Sequence, residues 1–280
     1  MKQDLIPKLH EMEIGTAETL PLYTFPLIEQ CGMAKHAFTT RLGGVSKGIF
    51  STLNLSFSRG DERSAVEENY RRLARALGVD YGSFVLSDQT HTTNVIRVGK
   101  ADVGNGILRE QKYRDVDGMI TNEEGVTLVT FHADCVPLFF ADPVHRAIGL
   151  SHSGWRGTAG RIGQATLEAM RREFGTNPKD VVCAIGPSIC KNCYEVGADV
   201  ANVFEREFSA YKKDVLEEKG GGKYQLDLWR ANEIVLLEAG VPSFRISVTT
   251  VCTCCNPGLL FSHRASMGKR GNLAAILALA

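Results

Sequence analysis

The chain has 280 residues, 44% hydrophobic and 23% charged, an ordinary globular composition that excludes a fibrous or disordered protein and suffices for a core without covalent staples. Lysine plus arginine and aspartate plus glutamate both number 32, so the formal net charge is zero and no overall basic footprint points to nucleic acid or an anionic membrane surface. Asp4, Lys8, Glu11 and Glu13 interrupt the opening stretch, which lacks the apolar run of a signal peptide; no later uncharged apolar segment is long enough to span a membrane, and a cytoplasmic protein with its 8 cysteines mostly reduced is expected.

In chain order, residues 1–25 read as an extension to one domain covering residues 1–280, whose first strand is predicted at 34–40. Ser64 and Glu67 have capping-box spacing; Val66, Tyr70, Leu73 and Leu77 then share a helix face that Gly78 ends. Strands at 84–87 and 95–98 flank SDQTHTTNV. Residues 98–116 form the longest loop, a lid or a surface excursion. Strands follow at 119–121, 126–131, 136–141 and 147–151. The last three are separated only by turn residues, too few for helical crossovers, which favours antiparallel or mixed β-sheet with helices packed outside, an α+β architecture. A helix is predicted over 158–175 through Ile162, Ala165, Ala169 and Phe174, a strand over 181–185, and a further amphipathic stripe through Val200, Val203, Phe204, Phe208 and Tyr211. A hairpin tip or flexible loop at 214–223, a helix at 227–240, a strand at 244–249 and a helix at 270–280 complete the chain.

Two strand ends hold the densest chemistry: HADC, ending in Cys135, and SHSGWRG, containing His152. His91 lies in the short loop between two earlier strands. Two imidazoles and a thiolate from three neighbouring strand ends match the ligand set of a catalytic zinc with one open position. Their wide spacing does not force them together, and each alone is more often a packed core residue than a ligand. A metal-free alternative makes Cys135 the nucleophile and His152 the base of a cysteine hydrolase.

These residues fall in seven ordered blocks: TTRLGGVSKGIFSTLNLS, DQTHTTNV, DGMITN, FHADCVPLFFADP, IGLSHSGWRGT, AIGPSICKNCYEVG and CCNPGLLFSHRASMGKRGNLAAI. Through them the chain resembles, over nearly its whole length, the YfiH/YlmD family of laccase-domain proteins, also described as purine nucleoside phosphorylases. The resemblance implies a layered α/β/β/α fold and zinc held by His91, Cys135 and His152. It also implies phosphorolysis of adenosine, inosine, guanosine and methylthioadenosine, with hydrolytic deamination of adenosine. Zinc would supply activated water for attack at C6 of adenine, and Asp134 is the candidate proton relay, its other reading being a turn cap. The usual deaminase signature, HxE with PCxxC, is absent.

With purine nucleosides and phosphate as the expected small-molecule partners, the anion-site candidates are Arg41 with Gly43 and Gly44, Arg156 before a helix, and Arg264; Asn54 is a candidate for base or ribose. Cys190, Cys193, Cys252, Cys254 and Cys255 are expected to be small packing residues, a second zinc or a redox dithiol being the alternatives. A copper polyphenol oxidase needs dense paired imidazoles, whereas the chain has 7 histidines and no HxH pair; copper is expected only as an alternative or adventitious occupant of the His/Cys/His site. A sensor or scaffold retaining zinc for structure is the non-enzymatic reading. Oligomeric state is not legible.

Overall fold

In the computed structural model, which describes residues 6–15 and 18–280, strands β1 (Lys8–Gly15), β2 (Glu18–Thr24) and β3 (Ala34–Thr39) are followed by β4 (Phe84–Leu86), β5 (Val95–Arg97), β6 (Gly118–Thr121), β7 (Thr127–His132), β8 (Val136–Asp142) and β9 (Ala147–Ser153). Helix α1 (Pro26–Gln30) joins β2 to β3, and α2 (Arg63–Leu77) precedes β4. Then come α3 (Trp155–Ala159), α4 (Ile162–Phe174), β10 (Val182–Ile185), β11 (Glu195–Gly197), α5 (Ala198–Glu207) and α6 (Lys212–Val215). The hairpin β12 (Leu216–Gly220) and β13 (Lys223–Leu226), helix α7 (Leu228–Glu238), β14 (Ile246–Val248) and β15 (Leu273–Leu279) close the chain.

Among the described residues there are two six-stranded sheets, ordered β1-β2-β3-β15-β7-β4 and β14-β10-β8-β9-β6-β5, both mixed, with a small antiparallel sheet β11-β13-β12 beside them. Period-two alternation explains the layering. In β15, Leu273, Ala275 and Leu277 join Phe139, Ile148 and Leu150 between the sheets, while Ala274 and Ile276 face Val66, Tyr70 and Leu73 of α2. On the outer face of the second sheet, Leu138 and Phe140 pack against Leu167 and Met170 of α4 and Val235 of α7. The order is therefore helix, sheet, sheet, helix, as expected. Full burial of each large side chain contributes roughly 1.5–3 kcal/mol.

Several local expectations change. Residues 270–280 are a strand, not a helix: β15 is buried on both faces, so its sequence LAAILAL is continuously apolar and carries no period to distinguish the two. The Ser64/Glu67 capping box does not form, because the helix starts at Arg63 with Glu62 before it; Glu67 instead pairs with Arg63 at 3.0 Å. Gly78, at φ 59°, ends it as expected. The helix predicted over 158–175 is two helices broken at Arg161, whose φ is 62°. A 3-10 turn, Ser209–Tyr211, ends the stripe begun by α5. Residues 214–223 contain the β12/β13 hairpin turn. Of the three close strands, β8 and β9 form an antiparallel pair, but β7 belongs to the other sheet, so HADC is a crossing between layers. None of the described helices is long and apolar enough to cross a membrane.

Candidate metal centre

Two connections pass from the first sheet to the second at the same end of the sandwich: β4 to β5, carrying His91, and β7 to β8, carrying Cys135. His152 stands near the end of β9, beside β8. Their donor atoms all lie within 4.8 Å of one another, with His91 Nε2 3.9 Å from Cys135 Sγ. Tetrahedral zinc with bonds of about 2.0–2.3 Å sets its donors about 3.3–3.8 Å apart, so the donor set fits the ion after a small contraction. His152 is buried and His91 exposed, which leaves one side of the cluster open.

Asp117, fully buried and not anticipated as a site residue, organises this cluster. Its Oδ1 accepts from His152 Nδ1 at 2.8 Å, which leaves Nε2 as the ring nitrogen available to Cys135 or a metal, and from the backbone N–H of His91 at 3.1 Å. Its Oδ2 accepts from the N–H groups of Thr90 and Thr92 and from Thr92 Oγ1, at 3.1, 2.8 and 2.9 Å. His91 has φ 69°, a left-handed conformation that costs a non-glycine residue energy, and the Asp117 carboxylate is what holds the turn. Such a carboxylate fixes both tautomer and ring direction of a ligating histidine. The available signal was DGMITN, an aspartate directly before an apolar strand.

Electrostatics follow from this packing. Burial favours the neutral Asp117 carboxyl, but hydrogen bonds and charge from His152, with those from Thr92, outweigh it and hold it below its usual value. Burial likewise opposes the Cys135 thiolate, yet positive His152 and hydrogen bonds from His152 and His91 bring the thiol down to about 6. Burial would lower His152, but the Cys135 thiolate and Asp117 raise it to about 9. His132, buried beside His152, is held well below 6.5 by burial and then by the His152 charge.

Gly154 shows how tightly this space is set: a Cβ there would lie 2.6 Å from His91 Cδ2 and 3.2 Å from Cys135 Sγ. Gly154→Ala is expected to push His91 aside and weaken any metal held by this donor set about 10-fold or more, read by competition with a chromogenic chelator.

The cluster opens on a cavity of about 460 Å³, inside the range of about 300–1,000 Å³ typical of small-molecule sites. Phe57, Phe131 and Tyr113 supply aromatic walls, and Arg114 and Arg270 supply cations. The 98–116 loop forms part of the wall through Gly106, Gln111, Tyr113 and Arg114, while its Ile107 is buried against the core beside α2. Burial, with Arg59 nearby, lowers Arg270 to about 10, so it stays charged at neutral pH; its Nε is buried without a hydrogen-bond partner among the described residues.

The other expected site residues lie elsewhere. Arg41 donates to the carbonyls of Ser51 and Pro257 and stacks on Phe261; it does not line the cavity. Gly43 and Gly44 are packed against their own chain: a Cβ on Gly44 would lie 2.2 Å from the Thr52 carbonyl oxygen. Arg156 is exposed over Trp155, and Arg264 donates to the carbonyls of Cys193 and Glu195. Asn54 is fully buried, its amide spent on Ser56, Asp61 and Asn272, so it positions two cavity residues, Ser56 and Asn272, without lining the cavity itself. Both Asp134 carboxylate oxygens are engaged, by Thr253 Oγ1 at 2.6 Å and the Arg264 N–H at 2.7 Å, which makes this side chain a staple for the 253–264 segment.

Comparison with known proteins agrees with the fold and the blocks. Residues 35–280 match the family model described as multi-copper polyphenol oxidoreductase laccase. Purine nucleoside phosphorylase YlmD of Bacillus subtilis is 35% identical over 96% of this chain and 97% of its own. Adenosine deaminase RL5, from an unknown prokaryotic organism, is 35% identical over 81% of this chain and 87% of its own. The crystal structure of Bacillus licheniformis YfiH superposes with a TM-score of 0.88 at 30% identity, covering 96% of this chain and 99% of that one.

Proposed function

This chain belongs to the laccase-domain family of YfiH and YlmD, and from that premise we propose that it is a zinc-dependent purine nucleoside phosphorylase that also deaminates adenosine. The observation that carries the proposal is a His/Cys/His donor set, braced by Asp117, opening on a cavity with aromatic and cationic walls. Relatives named purine nucleoside phosphorylase and adenosine deaminase support the substrate class.

His91, Cys135 and His152 would hold the metal; bound there it supplies a Lewis acid for developing charge and activates water for deamination. Phe57, Phe131 and Tyr113 suit the faces of a purine. Arg270 and Arg114 replace Arg41, Arg156 and Arg264 as the phosphate-binding cations, because they line the same cavity as the metal donors. In phosphorolysis a phosphate oxygen bonds to C1′ as the bond from C1′ to the purine breaks, and the electron pair leaves on the base. Arg270 would orient the phosphate for that in-line approach.

The copper oxidase reading fails on donors. Among the described residues, the groupings able to hold a metal are this trio and a cluster of four cysteines, and neither supplies the imidazoles of a trinuclear copper centre.

Adenosine incubated with zinc-loaded protein should give adenine and ribose 1-phosphate when phosphate is present, and inosine without it. Arg270→Ala should raise the KM for phosphate by about 10-fold or more, the loss of one charged hydrogen-bond partner, and leave inosine formation much less affected. Release of adenine without phosphate, or an unchanged phosphate KM in the variant, contradicts the assignment.

A further inference from the structure

The segments after β10 and β14 run side by side, joined by a bridge between Ser188 and Cys252 and by N–H donation from Ser188 to Val251 and from Thr253 to Ser188, at 3.3 and 3.1 Å. They bring two CxxC pairs together, Cys190 with Cys193 and Cys252 with Cys255. The four sulfurs lie within 4.8 Å of one another. Packing alone does not describe them: Cys252 is buried, but Cys190 and Cys193 are half-buried and Cys255 is exposed. Cys254 packs against the apolar core, as Cys193 also does, but it is no part of the group.

Three features suit a metal. Zinc with four sulfur ligands at about 2.3 Å places them about 3.8 Å apart, and Cys193 Sγ and Cys255 Sγ already stand at 3.4 Å, far beyond the disulfide bond length of about 2.05 Å. The backbone N–H groups of Cys190 and Cys255 both donate to Cys252 Sγ, at 3.3 and 3.4 Å, which stabilises a thiolate there. The two pairs also have the CxxC spacing from which closed structural zinc sites are built.

We propose that Cys190, Cys193, Cys252 and Cys255 hold a second, structural zinc ion, closed to solvent chemistry and distinct from the His91/Cys135/His152 centre. Its place in the fold gives it a purpose. The two segments it ties carry Thr253, which grips Asp134, and the carbonyl of Cys193, which receives Arg264; Ile189 N–H donates to the Asp134 carbonyl at 2.9 Å. Asp134 is the neighbour of Cys135, so the ion would fasten the wall behind the first centre without touching substrate.

The inference is independent of the reaction and is tested by metal content and spectroscopy. Wild-type protein purified under reducing conditions should hold two zinc ions per chain, and His91→Asn protein one. Cobalt exchanged into the His91→Asn protein should give the strong near-ultraviolet sulfur-to-cobalt charge-transfer bands of a four-thiolate site, a readout that needs no cysteine variant to fold. Cys255→Ser, at the exposed ligand, should lose that ion and lower the thermal midpoint while the wild-type first site keeps its own metal. One zinc per wild-type chain that disappears in His91→Asn overturns the proposal. So does cobalt without thiolate bands, or recovery of these cysteines as disulfides from reducing purification.

Discussion

Adenosine turnover is expected to fall at least about 10³-fold when His91 is replaced by asparagine, equivalent to about 4 kcal/mol of transition-state stabilisation. Asparagine suits the test because it tolerates the left-handed backbone of this position, where φ is 69°, so the turn held by Asp117 survives while the metal donor is lost. The substitution also separates two mechanisms that Cys135→Ser does not. A cysteine hydrolase would need Cys135 as nucleophile and His152 as base, and from removal of exposed His91 it would lose only one support of the thiolate, His152 remaining beside it. A metalloenzyme loses one of three ligands. Steady-state rates measured with bound zinc determined on the same samples decide between them; a fall of less than about 10-fold with metal retained rules out His91 as a ligand.

Asp117→Asn is the second large effect, because it changes one charge and no volume. The carboxylate accepts five hydrogen bonds through its two oxygens, from three N–H groups, one hydroxyl and the His152 ring. An amide keeps one oxygen and turns the other position into a donor facing donors. Either the 90–92 turn or His152 then loses its partner in a buried site. Zinc affinity should fall about 10- to 100-fold, the usual consequence of losing a ligand's hydrogen-bonded support. Stability of the metal-free protein should drop by about 2–4 kcal/mol, from unsatisfied buried donors and a broken charged pair. Denaturant unfolding and zinc competition check the two parts separately. Wild-type affinity in this variant would mean that the turn holds itself.

Which features the sequence disclosed depended on whether their cause was local. Gly78 ended α2 because a left-handed cap is a property of one residue, and the hairpin β8/β9 followed from the short turn between its strands. The strand β15 was hidden because a segment buried on both sides has no amphipathic pattern. The three candidate metal donors were legible as chemistry at strand ends, but only the sheet-to-sheet crossings at His91 and Cys135 bring them together. For Asp117 the DGMITN block marks a position but not a role: an isolated aspartate has no spacing partner, and its importance lies in five donors that arrive from the 90–92 turn and from His152. Arginines are hard to place from sequence for a related reason: guanidinium groups reach far, and Arg41 and Arg264 donate to backbone carbonyls whose approach only the folded loops reveal. The second CxxC pair was obscured by Cys254 lying between its members.

The most direct test strips the first centre with a chelator under reducing conditions, follows adenosine cleavage in phosphate, and then returns zinc. Turnover should disappear with the metal bound by His91, Cys135 and His152 and come back as that site refills. Undiminished turnover by protein shown to lack this metal would contradict it.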